Sequence, residues 1–309
     1  WKWLAGAFSA FGMAAAFGIG NMVQSNSVAE VLASQYAVPT FATGGTMALI
    51  AGLVIIGGVR RIAEVAAGLV PLMAAGYFIC AVAILGLNAH AVPAAFVTIV
   101  DGAFNGTAAG GGFVGATVWM AIRWGFARGI FSNESGLGSA AIAHAAARTN
   151  NAVRQGMVAM LGTFIDTIIM CTLTGLVIIV TGAWLEGAQG ASMSRAAFVS
   201  GLGGAGGHIV AIGLAVFAFT TIIGWSYYGE RCAAYLFGVK IIAAYRVVWV
   251  AAILLGALFH LNLVWAFADL FNGLMAIPNL IALLLLSPLV FRETRIYLKG
   301  LVATPATTK

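Results

Sequence analysis

The stretch SNESGLGSA (132–140) carries more chemistry than any other part of the chain. Ser132, Asn133 and Glu134 are followed closely by Gly136 and Gly138. Before them, Gly112 to Phe131 is apolar apart from Arg123 and Arg128, and a second short apolar run, AIAHAAAR, comes after. Serine, asparagine and spaced glycines are poor helix sequence, so the pattern predicts a helix that stops near 132 and restarts near 139. Such a break leaves free carbonyls at one end and free N–H groups at the other. The carbonyls suit a small cation, and the N–H end, with its dipole, suits a carboxylate. An amino acid travelling with a cation would satisfy both. The competing reading makes 132–138 an ordinary loop between two shorter helices, with 139–148 at the cytoplasmic surface. GLGSAA also fits a degenerate dinucleotide fingerprint, but no strand precedes it and no βαβ unit fits around it.

Other polar residues interrupt apolar runs. In FGIGNMVQSNSVAE, Asn21 and Gln24 lie three apart, hence on one helical face, while Asn26 points elsewhere. Gly18 and Gly20 beside them allow a neighbour to approach closely. The amides could bond a zwitterion in a cavity or serve as inter-helix glue. Asp166 has Thr163 and Thr167 nearby; it could be a functional intramembrane carboxylate or pair with Arg123 or Arg128. Thr220 and Thr221 could complete an oxygen shell around sodium. From chemistry alone, they bond back to their own helix. Asp269, Asn272 and Asn279 precede or interrupt the last apolar run, where Pro278 is expected to kink the helix. His144 and His208 are isolated and show no metal-ligand spacing. Cys80, Cys171 and Cys232 are far apart and read as small apolar side chains, not as a disulfide framework or zinc site.

These residues must be held by a chain of 309 residues that is 62% hydrophobic and 8% charged. An ordinary globular protein is roughly a quarter charged. A soluble protein this apolar would have nothing to cover its surface with, so lipid is the solvent for most of it. Disordered, collagen-like and coiled-coil classes are excluded on the same ground. The net charge of +6 is spread singly or in pairs, with no patch able to track a nucleic-acid backbone. The runs are too long and too rich in Ala and Leu for an outer-membrane barrel. At around 20 residues per span, eight spans are expected, near 3–33, 40–59, 62–88, 107–148, 155–182, 205–237, 241–260 and 264–290. Loops on one side then hold Lys2, Arg60, Arg61, Arg148, Arg154, Arg231, Lys240, Arg246, Arg292, Arg295, Lys299 and Lys309; the other side holds only Arg195. The basic side is cytoplasmic. The outer loop 89–106 is expected to hold a short amphipathic helix lying across the outer face. The chain begins at Trp1 rather than Met and reads as a fragment lacking its own N-terminus.

Five blocks, GIGNMVQSNSVAEVL, VRRIAEVAAGLVPLMA, RGIFSNESGLGSAAIAHAAART, RQGMVAMLGTFIDTIIMCTLTGLVIIVTG and GWSYYGERCAAYLFG, resemble the alanine or glycine:cation symporter family. That family comprises sodium-coupled amino-acid carriers of bacterial and archaeal cytoplasmic membranes. The resemblance runs over essentially the whole chain. It implies an all-α polytopic membrane protein of the leucine-transporter type, an eleven-helix carrier of which about eight helices are present. Two inverted five-helix repeats follow an extra N-terminal helix. Residues 1–106 then supply core helices three to five and the outer loop helix, 107–290 core helices six to ten, and 291–309 a cytoplasmic tail. The broken segment corresponds to core helix six, so the resemblance implies that Ser132, Asn133, Glu134, Gly136 and Gly138 hold substrate. It places Asn21 and Gln24 on core helix three, facing the substrate. It places Thr220 and Thr221 at a sodium site on core helix eight, which favours the ligand reading for them. The family's other broken helix, with a GTGN-containing segment and a GGPGA-type motif, is absent from this sequence. The resemblance therefore implies that this polypeptide alone is incompetent for coupled transport.

The expected function is sodium-coupled symport of alanine or glycine by alternating access, with sodium as coupling ion and no cofactor. Asp166 is a possible coupling residue, and proton coupling is the nearest alternative. A membrane-embedded enzyme using Asp166, Glu134 or His144 finds no support in catalytic spacing. A channel would conduct without coupling.

Overall fold

The computed structural model describes residues 1–104 and 114–303, and every regular element among them is a helix. Backbone polar groups in lipid must bond within their own segment, which continuous apolar runs achieve only as helices. In chain order these are α1 (Lys2–Tyr36), α2 (Thr40–Ile56), α3 (Gly58–Leu87), α4 (Val92–Phe104), α5 (Val114–Asn133), α6 (Ser139–Ala145), α7 (Ala152–Val180), α8 (Gly190–Leu202), α9 (Gly204–Phe237), α10 (Ile242–Leu258) and α11 (Leu261–Ala303).

Among the described residues, six helices are long and apolar enough to cross a membrane: Lys2–Tyr36, Gly58–Leu87, Ala152–Val180, Gly204–Phe237, Val239–Leu258 and Asn262–Gly300. The other two of the eight expected spans are not in that set. Helix α2 has 17 residues, the lower limit of about 17–25 for a spanning helix. The fourth expected span, 107–148, is divided into α5 and α6; its first residues, 107–113, lie outside the described part, as do 105–106 of the outer loop. The expected outer-loop helix is present as α4. Helix α11 continues through Pro278 and Pro288 to Ala303, so much of the expected tail is helical; 304–309, including Lys309, lie outside the described part.

Helix α1 is the spine. It widens into a π turn at Gly18–Met22, where both ends remain helical. A Cβ on Gly20 would lie 2.2 Å from the Trp225 Cβ of α9, and one on Gly18 would lie 2.8 Å from the Ala268 Cα of α11. Both neighbours thus press directly on the α1 backbone. The same turn alters which side chains share a face. Asn21 donates to the Trp249 carbonyl at 2.9 Å, and Asn26 donates to the Gly256 and Phe259 carbonyls at 2.9 and 2.7 Å, all at α10. The expected pairing of Asn21 with Gln24 gives way because π winding brings residues five apart into line; Gln24 instead donates to the Ile19 carbonyl of its own helix.

Around this spine α1 packs on α9 and α11, α2 on α10, and α3 on α9. The core between them is built from Ile222, Ile223, Trp225, Trp249 and Ile253. A second cluster, with Ile84, Val177 and Phe198, joins α3, α7, α8 and α9. Two charged contacts fix the ends. Buried Glu230 accepts from Arg231 and Arg246 at 2.7 Å each, tying α9 to α10 on the expected cytoplasmic side. Toward the other side, Arg128 of α5 pairs with Asp269 of α11 and lies 4.3 Å from the Trp265 ring centroid.

Replacing Gly20 with Val should overpack this contact and cost about 1–3 kcal/mol. A thermal midpoint for the purified protein in detergent that matches the unsubstituted protein would show that α1 and α9 do not depend on it.

Candidate functional site

Helix α5 ends at Asn133 and α6 begins at Ser139. Glu134, Gly136 and Gly138 between them all take left-handed backbone, with φ of 53°, 76° and 84°. That conformation is open to glycine and costs a side-chain-bearing residue such as Glu134 about 1–3 kcal/mol. It persists only where the surroundings hold it. Gly138 has a second reason to be glycine: a Cβ there would stand 2.6 Å from the Asn279 Oδ1 and 2.8 Å from the Phe8 ring.

The surroundings do hold the break, from three helices. The Glu134 carboxylate accepts from the Ser139 hydroxyl across the gap at 2.7 Å and from the Trp225 Nε1 of α9 at 2.9 Å. Asn279 of α11 donates to the Gly136 carbonyl at 2.8 Å. Asn133 Oδ1 accepts from the Ser135 amide at 2.8 Å, turning the chain at the end of α5, and its Nδ2 donates to the Thr167 hydroxyl of α7 at 3.2 Å. Ser132 donates to the Asp166 carboxylate at 2.7 Å. Asp166 and Thr167 belong to a second π segment, Phe164–Cys171, in the middle of α7.

These partners set the depth of the break. Thr167 lies near the middle of the 29-residue α7, and Asn279 near the middle of the 39-residue stretch Asn262–Gly300. A loop at the cytoplasmic surface would meet the ends of those helices. The surface-loop reading does not fit these contacts, and the restarted helix α6 is shorter than the expected 139–148. With only 7 residues, its aligned peptide dipoles are few, which weakens the expected dipole contribution.

The remaining candidates fall at different places. Asn21 is fully buried with its Nδ2 committed to α10, while its Oδ1 is buried without a hydrogen-bond partner. Thr220 and Thr221 donate to the Val216 and Phe217 carbonyls of their own helix at 2.9–3.1 Å. Thr221 stands one turn before Trp225 on α9, so its helix face leads to the break. Asp166 accepts from Ser132 and Thr167, and not from Arg123 or Arg128; Arg128 is paired with Asp269 instead. The sequence pattern does not single out Trp225 or Ser139 as site residues, and it marks Asn279 only as a polar residue in an apolar run. A carboxylate inside an apolar span needs donors, and Gly20 needs a large neighbour; both signals converge on Trp225.

A large cavity of about 600 Å³ adjoins this region between α3, α7, α8 and α9. Its wall is mostly apolar, with Tyr77, Asp166, Cys171 and Thr174 as its polar edge. Asp166 thus faces both the break and a cavity.

A sequence model of the sodium:alanine symporter family matches residues 1–307. An uncharacterized transporter of Haemophilus influenzae is 50% identical over 303 residues, covering 97% of this chain and 66% of that protein. The sodium/alanine symporter AgcS of Methanococcus maripaludis is 49% identical over 300 residues, covering 96% and 65%. The putative sodium/proton-dependent alanine carrier protein YrbD of Bacillus subtilis is 36% identical over 310 residues, covering 93% and 62%. The chain spans just under two thirds of the length of these relatives.

Removing Glu134 should unfasten the break. Glu134→Ala leaves the Trp225 Nε1 and the Ser139 hydroxyl without their acceptor, at a cost of about 1–3 kcal/mol. Combined with Trp225→Phe, the two losses should be non-additive by about 0.5 kcal/mol or more. Strict additivity of the thermal stabilities in the double variant would separate the two residues.

Proposed function

This chain belongs to the sodium:alanine symporter family, and on that footing we propose that it carries a small neutral amino acid, alanine or glycine, together with sodium. The observation that carries this reading is the helix break at 134–138, level with the middle of α7 and α11 and fastened to three neighbours. Irregular backbone at membrane depth is tolerated where it lines a cavity or is buried in protein, and discontinuous helices are where secondary transporters bind substrate and coupling ion. In this reading the backbone and side chains of Ser132, Asn133, Glu134, Gly136 and Gly138 cradle the amino acid, with the unpaired Asn21 Oδ1 and, from a different face of α1, Gln24 as further contacts. Thr220 and Thr221 offer hydroxyl oxygens to sodium, since a hydroxyl that donates to a backbone carbonyl retains lone pairs. Asp166 is the coupling residue. The carrier performs no covalent chemistry; it exposes one midplane site alternately to each side.

The contact pattern supports an inverted-repeat, leucine-transporter-type architecture. If α1 is exchanged with α9, α2 with α10 and α3 with α11, the pairing α1–α11 becomes α9–α3, and α2–α10 and α1–α9 map onto themselves. Each of these pairings is present. The basic-side assignment gives α1 and α9 opposite directions across the membrane, as inverted repeats require.

A second reading, proton in place of sodium, has its own support. The partners of Glu134 and Asp166 among the described residues are neutral hydroxyl and indole groups, not cations. The Bacillus relative's name also includes a proton dependence.

The test is uptake of labelled alanine by vesicles holding the intact protein, with an imposed sodium gradient. Accumulation should require inward sodium and persist when the pH gradient is collapsed. Accumulation that follows the pH gradient without sodium would transfer the coupling to protons, and none under either gradient would reject the carrier. Asn133→Ala and Gly136→Ala should each lower equilibrium alanine binding more than they lower thermal stability; unaltered binding in both would move the substrate site elsewhere.

A further inference from the structure

Toward the expected outer side of the break, α5 and α11 line a smaller, half-open cavity of about 260 Å³, bordered among others by Arg123, Ile130, Leu137, Asp269 and Asn272. It lies below the roughly 300–1,000 Å³ of sites for drug-sized ligands, so a small molecule is the size that fits. One end reaches Leu137, inside the break. The other reaches Arg123, about ten residues before the end of α5, hence roughly 15 Å along the helix axis. Asp269, Asn272, Ala276 and Asn279 follow at spacings of three and four on α11, which puts them on one helical face. That face runs from the cavity to the Asn279 contact with the Gly136 carbonyl.

The charges in this cavity do not balance. Asp269 is paired with Arg128, whose guanidinium is also held against Trp265 and Phe131. Arg123 is exposed, and among the described residues it makes no ion pair; its contact is with the Trp124 ring, 5.6 Å from the guanidinium carbon. A guanidinium within an apolar span calls for an anion or for water. Asn272 is 6% exposed, and its Oδ1 is buried without a hydrogen-bond partner. A buried acceptor without a donor costs about as much as a lost hydrogen bond. The cavity therefore presents one uncompensated cation and, across it, one unsatisfied acceptor beside a carboxylate.

We propose that this cavity is a second, outer site for the amino acid, in which Arg123 takes the carboxylate and Asn272, with Asp269, takes the ammonium group. The proposal rests on the carrier reading above and extends it. A molecule held here would be oriented by its two charges before it moves along the α11 face to the break. Neutral small molecules and inorganic anions each satisfy only one half of the arrangement, so the zwitterion is the preferred class.

The test is equilibrium binding of labelled alanine to the purified intact protein, together with initial rates of uptake over a range of external alanine. The unsubstituted protein should bind two alanines per chain, one more weakly. Arg123→Gln should bind one and should raise the KM for external alanine about tenfold, the effect of losing a charge-assisted hydrogen bond, more than it lowers the maximal rate. Arg123→Lys should restore part of the affinity. Asn272→Leu should fill the cavity and also remove the second equivalent; since Arg123 is exposed, its variants remain informative if this buried replacement fails to fold. A single equivalent in the unsubstituted protein, or two equivalents with an unaltered KM in Arg123→Gln, would overturn the outer site while leaving the carrier reading intact. No alanine binding and no uptake in the unsubstituted protein would overturn both.

Discussion

The structure depends on one constraint: a backbone that leaves the helix at membrane depth must have its polar groups and its unusual dihedrals supported by protein. Five residues, 134–138, leave the helix between α5 and α6. Each neighbouring helix contributes a side chain suited to one need. Trp225 brings an indole N–H to the carboxylate, Asn279 brings an amide to a carbonyl, and Thr167 brings a hydroxyl to the Asn133 amide. Glu134 is central because it holds both sides of the gap, reaching the first residue of the restarted helix as well as α9. Its own φ of 53° is unfavourable for a side-chain-bearing residue. The two hydrogen bonds and the strained backbone belong together: without the anchors, there would be no reason for Glu134 to remain in that conformation.

The approach of α9 that makes those anchors possible begins on a different helix. Gly20 lets Trp225 lie against the backbone of α1, which sets the indole where Glu134 can reach it. The π turn at Gly18–Met22 supports the same arrangement, since it opens a helical turn beside the contact. A second π segment, on α7, carries Asp166 and Thr167, the two residues that bond Ser132 and Asn133. Local widening of a helix is thus found on two of the elements that face the break. In each case the freed backbone groups are answered by a nearby polar side chain: Gln24 donates to the Ile19 carbonyl, and Thr172 to the Thr167 carbonyl at 3.5 Å.

Much of this was legible in the sequence, because the break is written in local chemistry. Ser132, Asn133, Gly136 and Gly138 each disfavour a helix interior for their own reason, and the bounds they imply differ by about one residue from those observed. The glycines of α1 announced a close neighbour. What the residues could not announce was tertiary: which large side chain meets Gly20, and which arginine meets which acid. Arg128 turned to Asp269, 141 positions away, rather than to Asp166, because ion pairing follows the packing of α5 on α11 and not proximity in the chain. The faces of α1 depart from the ideal helical pattern for a geometric reason. An ideal helical period puts Asn21 with Gln24, and the π turn puts Asn21 with Asn26. Span length is a weaker signal, since the 17-residue α2 lies at the lower end of the spanning range.

The distribution of charge along α5 and α11 then follows from the same constraint. A cation inside an apolar helix is tolerated when something meets it, and Arg128 is met by an acid and by aromatic faces. Arg123 lies five residues earlier on the same helix and, among the described residues, makes no ion pair and meets the Trp124 ring. Five residues turn a helix by about 140°, so the two arginines leave α5 in different directions, and Asp269 can satisfy one of them. The acid goes to the arginine nearer the break, where water is scarcer and an unpaired charge costs more. The arginine farther out retains an unmatched charge, on the side from which a zwitterion entering from outside would approach.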